Sequence, residues 1–559
     1  MTMNALIETR NWRAFHNDVD SGLEQARREE VVRRLWRKDH TLWKSEDREI
    51  SNRLGWLEAP ENAERDLERW KRIALEARAQ GFERALLLGM GGSSLAPEVF
   101  SRVFGPADGA LELLVLDSIV PETVNRVRES LDPEKTLVLV SSKSGTTLET
   151  LTLFGLFHDW LGRRLGPDRT GDRFLAVTDP GTPLEQTALR LGFRAVLAGD
   201  PDIGGRFSVF SAFGLFPAAL LGLDTGRFLE RAREMSRLCR REDEPAANPG
   251  LFLGTALGRL ACRGVDKLML LLSPEIESFG GWLEQLIAES TGKEGRGILP
   301  VIGEPPGAFN LCRRDRLWTV IKLAQDRSLE APLARIEESG SPCLVLNLED
   351  PADLAGHFFL WETAAAVAGW ALKINPFDQP DVAAAKENTE NMLARHRSRD
   401  GFPGEGGFPD ESRAAAAVCS LADGGREGDY LCLQAFLDPR PEIAGLLAEM
   451  AQVLRMRSRL PVTVGFGPRY LHSTGQLHKG DAGRGLFIQI TARDGRDILL
   501  TQDAAERGRG DDLSLGLIME AQALGDYVAL GKKGRRVIRL RLTENPSLGL
   551  RKILKELKA

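Results

Sequence analysis

The 559-residue sequence has no CxxC pair: its six cysteines, Cys239, Cys262, Cys312, Cys343, Cys419 and Cys432, are scattered. A disulfide framework or a zinc knuckle is therefore not expected, and a reducing cytoplasm suits the chain. Positive charge is not in excess either. With 74 basic and 80 acidic residues the net charge is −6, which speaks against a general nucleic-acid binder. The opening MTMNALIETRNWRAFH carries charges early and has no apolar signal core. The most apolar helical stretch, Leu354 to Leu372, contains His357 and Glu362 and is short for a membrane span, so it reads as a buried helix. No short-period repeat is visible. What is present is the composition of an ordinary soluble globular protein, 42% apolar and 28% charged, long enough for three or four domains.

Residues 1 to about 80 mix charged and apolar residues at helical spacing and predict a helical segment. An alternation of β and α follows. Strands are expected at Ala85 to Leu88, Leu111 to Leu116, Leu137 to Val140, Phe174 to Val177 and Ala195 to Leu197, with helices between them. Several of these strands are continuous apolar runs, as expected when both faces are covered. Five strands with crossover helices imply a doubly wound parallel sheet over residues 81–225. After helices at 226–262, a second βα series runs through Leu268 to Leu272, Gly297 to Val301, Leu317 to Ile321 and Cys343 to Leu346. It closes with helices at 354–372 and 381–396 and predicts a second sheet domain over 226–400. The Gly- and Pro-rich Gly401 to Pro409 reads as a linker or loop. A third, smaller α/β unit is expected over 410–559, with strands near Tyr430 to Phe436, Val462 to Val464, Leu486 to Ile490 and Arg536 to Leu540.

The stretch Leu139 to Leu148, LVSSKSGTTL, carries the strongest functional signal. A strand ends abruptly in Ser141, Ser142, Lys143, Ser144, Gly145, Thr146 and Thr147, and a helix begins at Leu148. Open N–H groups and the positive dipole end of a helix suit a phosphate. The hydroxyls can bond the same oxygens, and Gly145 lets the backbone turn closely around them. An ordinary N-cap needs one such residue, whereas this turn offers several.

Other segments are weaker alone. Gly89, Met90, Gly91, Gly92, Ser93 and Ser94 follow a strand, yet match neither the dinucleotide GxGxxG nor the Walker spacing. A tight turn and a ligand loop are equally good readings. Gly204 and Gly205 precede Arg206, whose permanent charge could stabilise an oxyanion. Gln285 and Glu289 lie four apart on one helix face. Glu289 stands near that helix's C-terminal end, where the dipole tends to raise a carboxyl pKa, which suits a base. The alternative is an exposed glutamate paired with Lys293. The turn Pro376 to Pro380 leads into a helix carrying Lys386. Two of the seven histidines, His472 and His478, share the loop YLHSTGQLHKG. No further ligands are spaced there for a metal, so an acid/base or hydrogen-bonding role is favoured.

Together these segments resemble the glucose-6-phosphate isomerase family, also called phosphoglucose isomerase, and in particular the form found fused behind transaldolase in some bacteria. No (β/α)₈-length segment precedes residue 80, so a transaldolase activity is not expected. The resemblance runs from GMGGSSLAP to the loop at 472 and implies two sugar-isomerase (SIS-type) sheet domains. It implies that Ser142, Lys143 (through its backbone), Ser144 and Thr147 hold the sugar phosphate, with Gly92 and Ser93 in the neighbouring loop. GGRFSVFSAFGL would put Gly205 and Arg206 at the reacting carbons. QLIAESTGK makes Glu289 the base with Gln285 beside it; NPFDQPDVAAAK makes Lys386 the lysine near the ring oxygen; HSTGQLHKG selects His472. Ser94 stands where many members have aspartate. The histidine loop, usually between the glutamate and the lysine, here follows both. The family's histidine commonly comes from a partner subunit, which leaves a homodimer open. The implied activity is glucose 6-phosphate/fructose 6-phosphate isomerisation through a cis-enediol(ate), in the cytoplasm, without metal or organic cofactor. Alternatives are another sugar phosphate, such as mannose 6-phosphate, or a non-catalytic sugar-phosphate-binding regulatory module.

Overall fold

In the computed structural model, residues 6–304, 314–397, 411–492, 497–500, 513–542 and 545–559 are described. The expected loop Gly401 to Pro409 lies outside them. Three separate sheets organise the described residues. The first is wholly parallel in the order β3-β2-β4-β5-β6, formed by β2 (Arg84–Gly89), β3 (Glu112–Leu116), β4 (Thr136–Ser141), β5 (Phe174–Thr178) and β6 (Ala195–Ala198). Every residue of β4 and β5 is buried, which explains why their sequences are unbroken apolar runs without alternation.

The second sheet contains β7 (Lys267–Leu272), β8 (Leu299–Ile302), β9 (Arg316–Leu323) and β10 (Cys343–Leu348), all parallel. Its edge departs from expectation. β1 (Ile7–Arg10), inside the segment predicted to be helical, pairs antiparallel with β10 and gives the order β1-β10-β9-β7-β8. Four residues are too few for a period to show, and their pairing with residues 343–346 is a tertiary choice that outweighs local propensity. The rest of the amino-terminal segment is mainly helical, including His16–Arg28 and Glu64–Ala79.

The third sheet is parallel in the order β12-β11-β13-β14, from β11 (Tyr430–Phe436), β12 (Val462–Phe466), β13 (Gly485–Ala492) and β14 (Arg536–Leu542). Helices Glu411–Asp423, Leu515–Lys532 and Pro546–Lys558, not foreseen from the sequence, complete it. The Leu515–Lys532 helix packs onto the helix Pro380–Arg397. It also shares an apolar core with Phe154 and Phe157, on the helix Leu148–Leu165 that follows the first sheet's serine-rich turn. The third unit is thereby pressed against the first sheet. No described helix is long and apolar enough to cross a membrane, and Leu354–Leu372 is a buried helix, as expected.

Candidate active site

In β2 and β4, Gly89 pairs with Ser141, so the glycine-rich loop and the serine-rich turn leave adjacent strands at the same level. These strands flank the point where the strand order reverses, the crevice in which open α/β sheets hold ligands. Gly145 has φ +63°, and a Cβ there would lie 2.8 Å from Thr182, so the tight turn requires glycine. Ser142 is buried behind the turn with its Oγ 3.0 Å from Thr147 Oγ1. Thr147 thus spends its hydroxyl on the turn and makes no side-chain cap to the following helix, leaving first-turn N–H groups for an anion. Lys143 Nζ is tied to Asp179 and to the Asp200 carbonyl (3.1 Å), so its ammonium is committed to protein partners.

A cavity of about 510 Å³ opens from this turn, lined by Lys143, Ser144, Thr147, Gly92, Ser93, Gly205, Arg206, Gln285, Glu289, Lys386 and His472, among others. The site residues expected from the sequence therefore converge, with Ser142 just behind the wall. The walls meet backbone to backbone: a Cβ on Gly92 would sit 2.1 Å from the Gly205 carbonyl oxygen.

Arg206 lies in the short turn Gly205–Phe207 and is 4% exposed. Its guanidinium meets Glu289 Oε1 at 3.1 Å and donates to Ser290 Oγ (2.9 Å) and to the carbonyls of Pro376 (2.5 Å) and Asp378 (3.1 Å). A buried cation needs such complete pairing. Glu289, on the helix Phe279–Thr291, is buried rather than exposed, and its Oε2 accepts from Gln285 Nε2 at 2.9 Å. The same Gln285 nitrogen donates to the His472 carbonyl at 2.8 Å. Lys293 does not pair with Glu289. Its Nζ donates to the Asp378 carbonyl (2.6 Å) and carboxylate (2.8 Å), while burial and the nearby Arg206 push its pKa down to about 8.

His472 ends the short turn Arg469–His472, and its Nε2 stands 2.8 Å from Glu149 Oε1. Glu149 also accepts from Gln522 Nε2 at 2.6 Å. Burial works against its ionisation, but the imidazole beside it and these hydrogen bonds outweigh burial and bring its pKa to about 2. His478 is enclosed by Tyr430, Tyr470 and Phe487, near Gln434 and Cys432, and burial drives its pKa far below the usual histidine range. Lys386 is exposed at the cavity wall on the helix Pro380–Arg397. Ser94 turns away from the cavity toward the Gly91 carbonyl (3.1 Å) and Asp117 (3.5 Å). Glu149 and Gln522 were not anticipated from the sequence. Glu149, the lone acid in SSKSGTTLET, carried the available signal, but it also reads as an ordinary first-turn glutamate. Among the described residues no group of three or more His, Cys, Asp or Glu side chains is arranged to hold a metal ion.

A polar turn, a buried carboxylate–guanidinium pair and an imidazole–carboxylate pair surround one cavity, an arrangement chemically suited to an anionic substrate and to proton transfer. Residues 75–296 match the family model described as phosphoglucose isomerase. The chain is 29% identical to the glucose-6-phosphate isomerase of Staphylococcus saprophyticus over 401 residues, covering 63% of this chain and 89% of that one. It is 28% identical to that of Rubrobacter xylanophilus over 431 residues, covering 68% and 96%. A glucose-6-phosphate isomerase structure from Chlamydia trachomatis superposes with a TM-score of 0.58 at 19% identity, covering 69% of this chain and 87% of that one, a likeness of fold. The chain is thus similar to glucose-6-phosphate isomerases over about two thirds of its length, and the phosphoglucose isomerase family model matches its residues 75–296.

Proposed function

We propose that the chain interconverts glucose 6-phosphate and fructose 6-phosphate by proton transfer through a cis-enediolate. The first sheet's turn grips the phosphate, the second sheet's helix carries the base, and the third unit brings the histidine. His472, with Lys386 near the ring oxygen, moves the proton that opens the ring. Glu289 takes the proton from C2 of the open aldose and returns it to C1, while the hydroxyl proton passes from O2 to O1, so that one C–H and one O–H bond break and one of each forms. The C1 carbonyl accepts the electron pair, and the substrate serves as its own electron sink without metal or organic cofactor.

The observation that carries this reading is the Glu289–Arg206 contact of 3.1 Å in the cavity that begins at the serine-rich turn. When Glu289 gains a proton it loses its charge, and negative charge appears on the enediolate oxygen. A fixed guanidinium can follow that shift without reorganising, which is where electrostatic catalysis is most effective. His472 belongs to the same chain as Glu289, so one chain carries the full set, and the reaction would take place in the cytoplasm.

A coupled assay on Glu289→Gln tests the base. Turnover is expected to fall by about 10²–10⁴-fold, the range for a positioned general base, while inorganic phosphate still binds. Normal turnover by this variant would refute the assignment. Comparing glucose 6-phosphate with mannose 6-phosphate separates the two sugars, and binding without turnover by the unaltered chain would favour the regulatory module.

A further inference from the structure

We propose that Arg469 is a positioning residue for His472 and therefore governs opening of the sugar ring rather than the carbon-to-carbon proton transfer. Arg469 opens the four-residue turn that His472 closes. Its guanidinium reaches out of the third unit to two carboxylates beside the first sheet. One is Glu98 on the helix Leu95–Val103; the other is Asp117, just past β3, whose Oδ2 lies 3.3 Å from Nε. Glu98 is further held by Arg102 at 3.0 Å, and Asp117 accepts from Ser94.

On its other side the turn is fixed to the helix that carries Glu289. Ser473 Oγ donates to Glu284 Oε1 at 3.2 Å, and Gln285 Nε2 donates to the His472 carbonyl. Behind, Tyr470 donates to Asp526 Oδ2 at 2.8 Å. The imidazole thus approaches the cavity from a short segment whose amino end is anchored through charge to the first sheet, the sheet that also supplies its partner Glu149. Without the guanidinium, buried Asp117 would lose its cationic partner and Glu98 would keep only Arg102. Lysine would keep the charge but not the planar fork that spans both acids.

This inference rests on the ring-opening role given above to His472. The experiment uses the full chain and two substrates. Glucose 6-phosphate is mainly cyclic and needs ring opening. D-Erythrose 4-phosphate has its terminal hydroxyl esterified and cannot close a ring, so exchange of its C2 hydrogen with deuterated solvent reports Glu289 alone. Arg469→Lys and Arg469→Met should lose at least about ten-fold in kcat on glucose 6-phosphate. Exchange on the four-carbon substrate should stay within about two-fold of the unaltered chain, and His472→Gln should show the same selective loss. A variant that falls equally on both substrates, or on neither, while His472→Gln remains selective overturns the role of Arg469. Equal loss on both substrates in His472→Gln overturns the ring-opening reading itself. Thermal melting of each variant separates Arg469→Met from mere unfolding, and Arg469→Lys, which keeps the charge, carries the test if the methionine variant does not fold.

Discussion

Gly92→Ala is the sharpest perturbation available, because it strikes two backbones at once. The added methyl carbon would sit 2.1 Å from the Gly205 carbonyl oxygen, 2.3 Å from its carbon and 2.9 Å from the Arg206 nitrogen, whereas ordinary contact begins at 3.4 Å. No side-chain rotation relieves this overlap, so one of the two loops must retreat by about 1 Å, a displacement that can cost about 10²-fold in rate when it misplaces a reacting group. Arg206 is next in the chain to the displaced residue and is held by four separate partners. The retreat therefore strains the guanidinium that faces Glu289. Overpacking of this kind also lowers stability by about 1–3 kcal/mol. Gly205→Ala is the matched control. Its Cβ would meet nothing within 4 Å, so the fold should keep its melting temperature while the methyl group occupies space at the cavity wall and raises KM. Coupled isomerase assays and thermal melts on both variants check this. Gly92→Ala with kcat within two-fold of the unaltered chain would refute the reasoning.

Glu149 titrates near pH 2 in the folded chain against an ordinary 4.5. A lowered carboxyl pKa contributes stability above the unfolded value and loses it as pH falls, so about 3 kcal/mol should disappear between roughly pH 4.5 and 2. Urea unfolding of the unaltered chain and Glu149→Gln should therefore converge in stability on acidification; a constant gap would contradict the pairing. Lys293, lowered to about 8, gives the opposite limb. Between about pH 8 and 10.5 the unfolded chain holds a proton that the folded chain has released, so this group adds stability as pH rises. Lys293→Met should abolish that rise in melting temperature. His478→Gln, inside its aromatic enclosure, should cost about 1–3 kcal/mol of stability yet keep kcat within a few-fold, whereas His472→Gln should lose about 10²-fold or more on glucose 6-phosphate. Equal activity losses would mean that the two histidines had been distinguished on the wrong grounds.

The strands nearest the site were legible because burial on both faces leaves an unmistakable composition, as in TLVLVS at β4 and FLAVT at β5. The serine-rich turn was legible because hydroxyls gathered at a strand's end have few other uses. β1 was not, since four edge residues acquire a conformation only from partners more than three hundred positions away. Glu149 was hidden for the same reason. Its meaning depends on His472 and Gln522, separated from it by 323 and 373 residues. The helix Pro380–Arg397 continues the second βα series in sequence but packs on Leu515–Lys532, an association no local pattern announces. Lys293 illustrates the converse error of trusting spacing. Its position four after Glu289 suggested a surface pair, and tertiary packing gave it to Asp378 instead.

Because His472 lies about 180 residues beyond Glu289, a ribosome working at 5–20 residues per second releases the two parts of the site on the order of 10–40 s apart. Throughout that interval the emerging polypeptide already contains the serine-rich turn and Glu289, yet lacks His472, the group proposed to open a closed sugar. Under the proposed function, the nascent protein would hold a sugar phosphate first and open its ring only after the last sheet has docked.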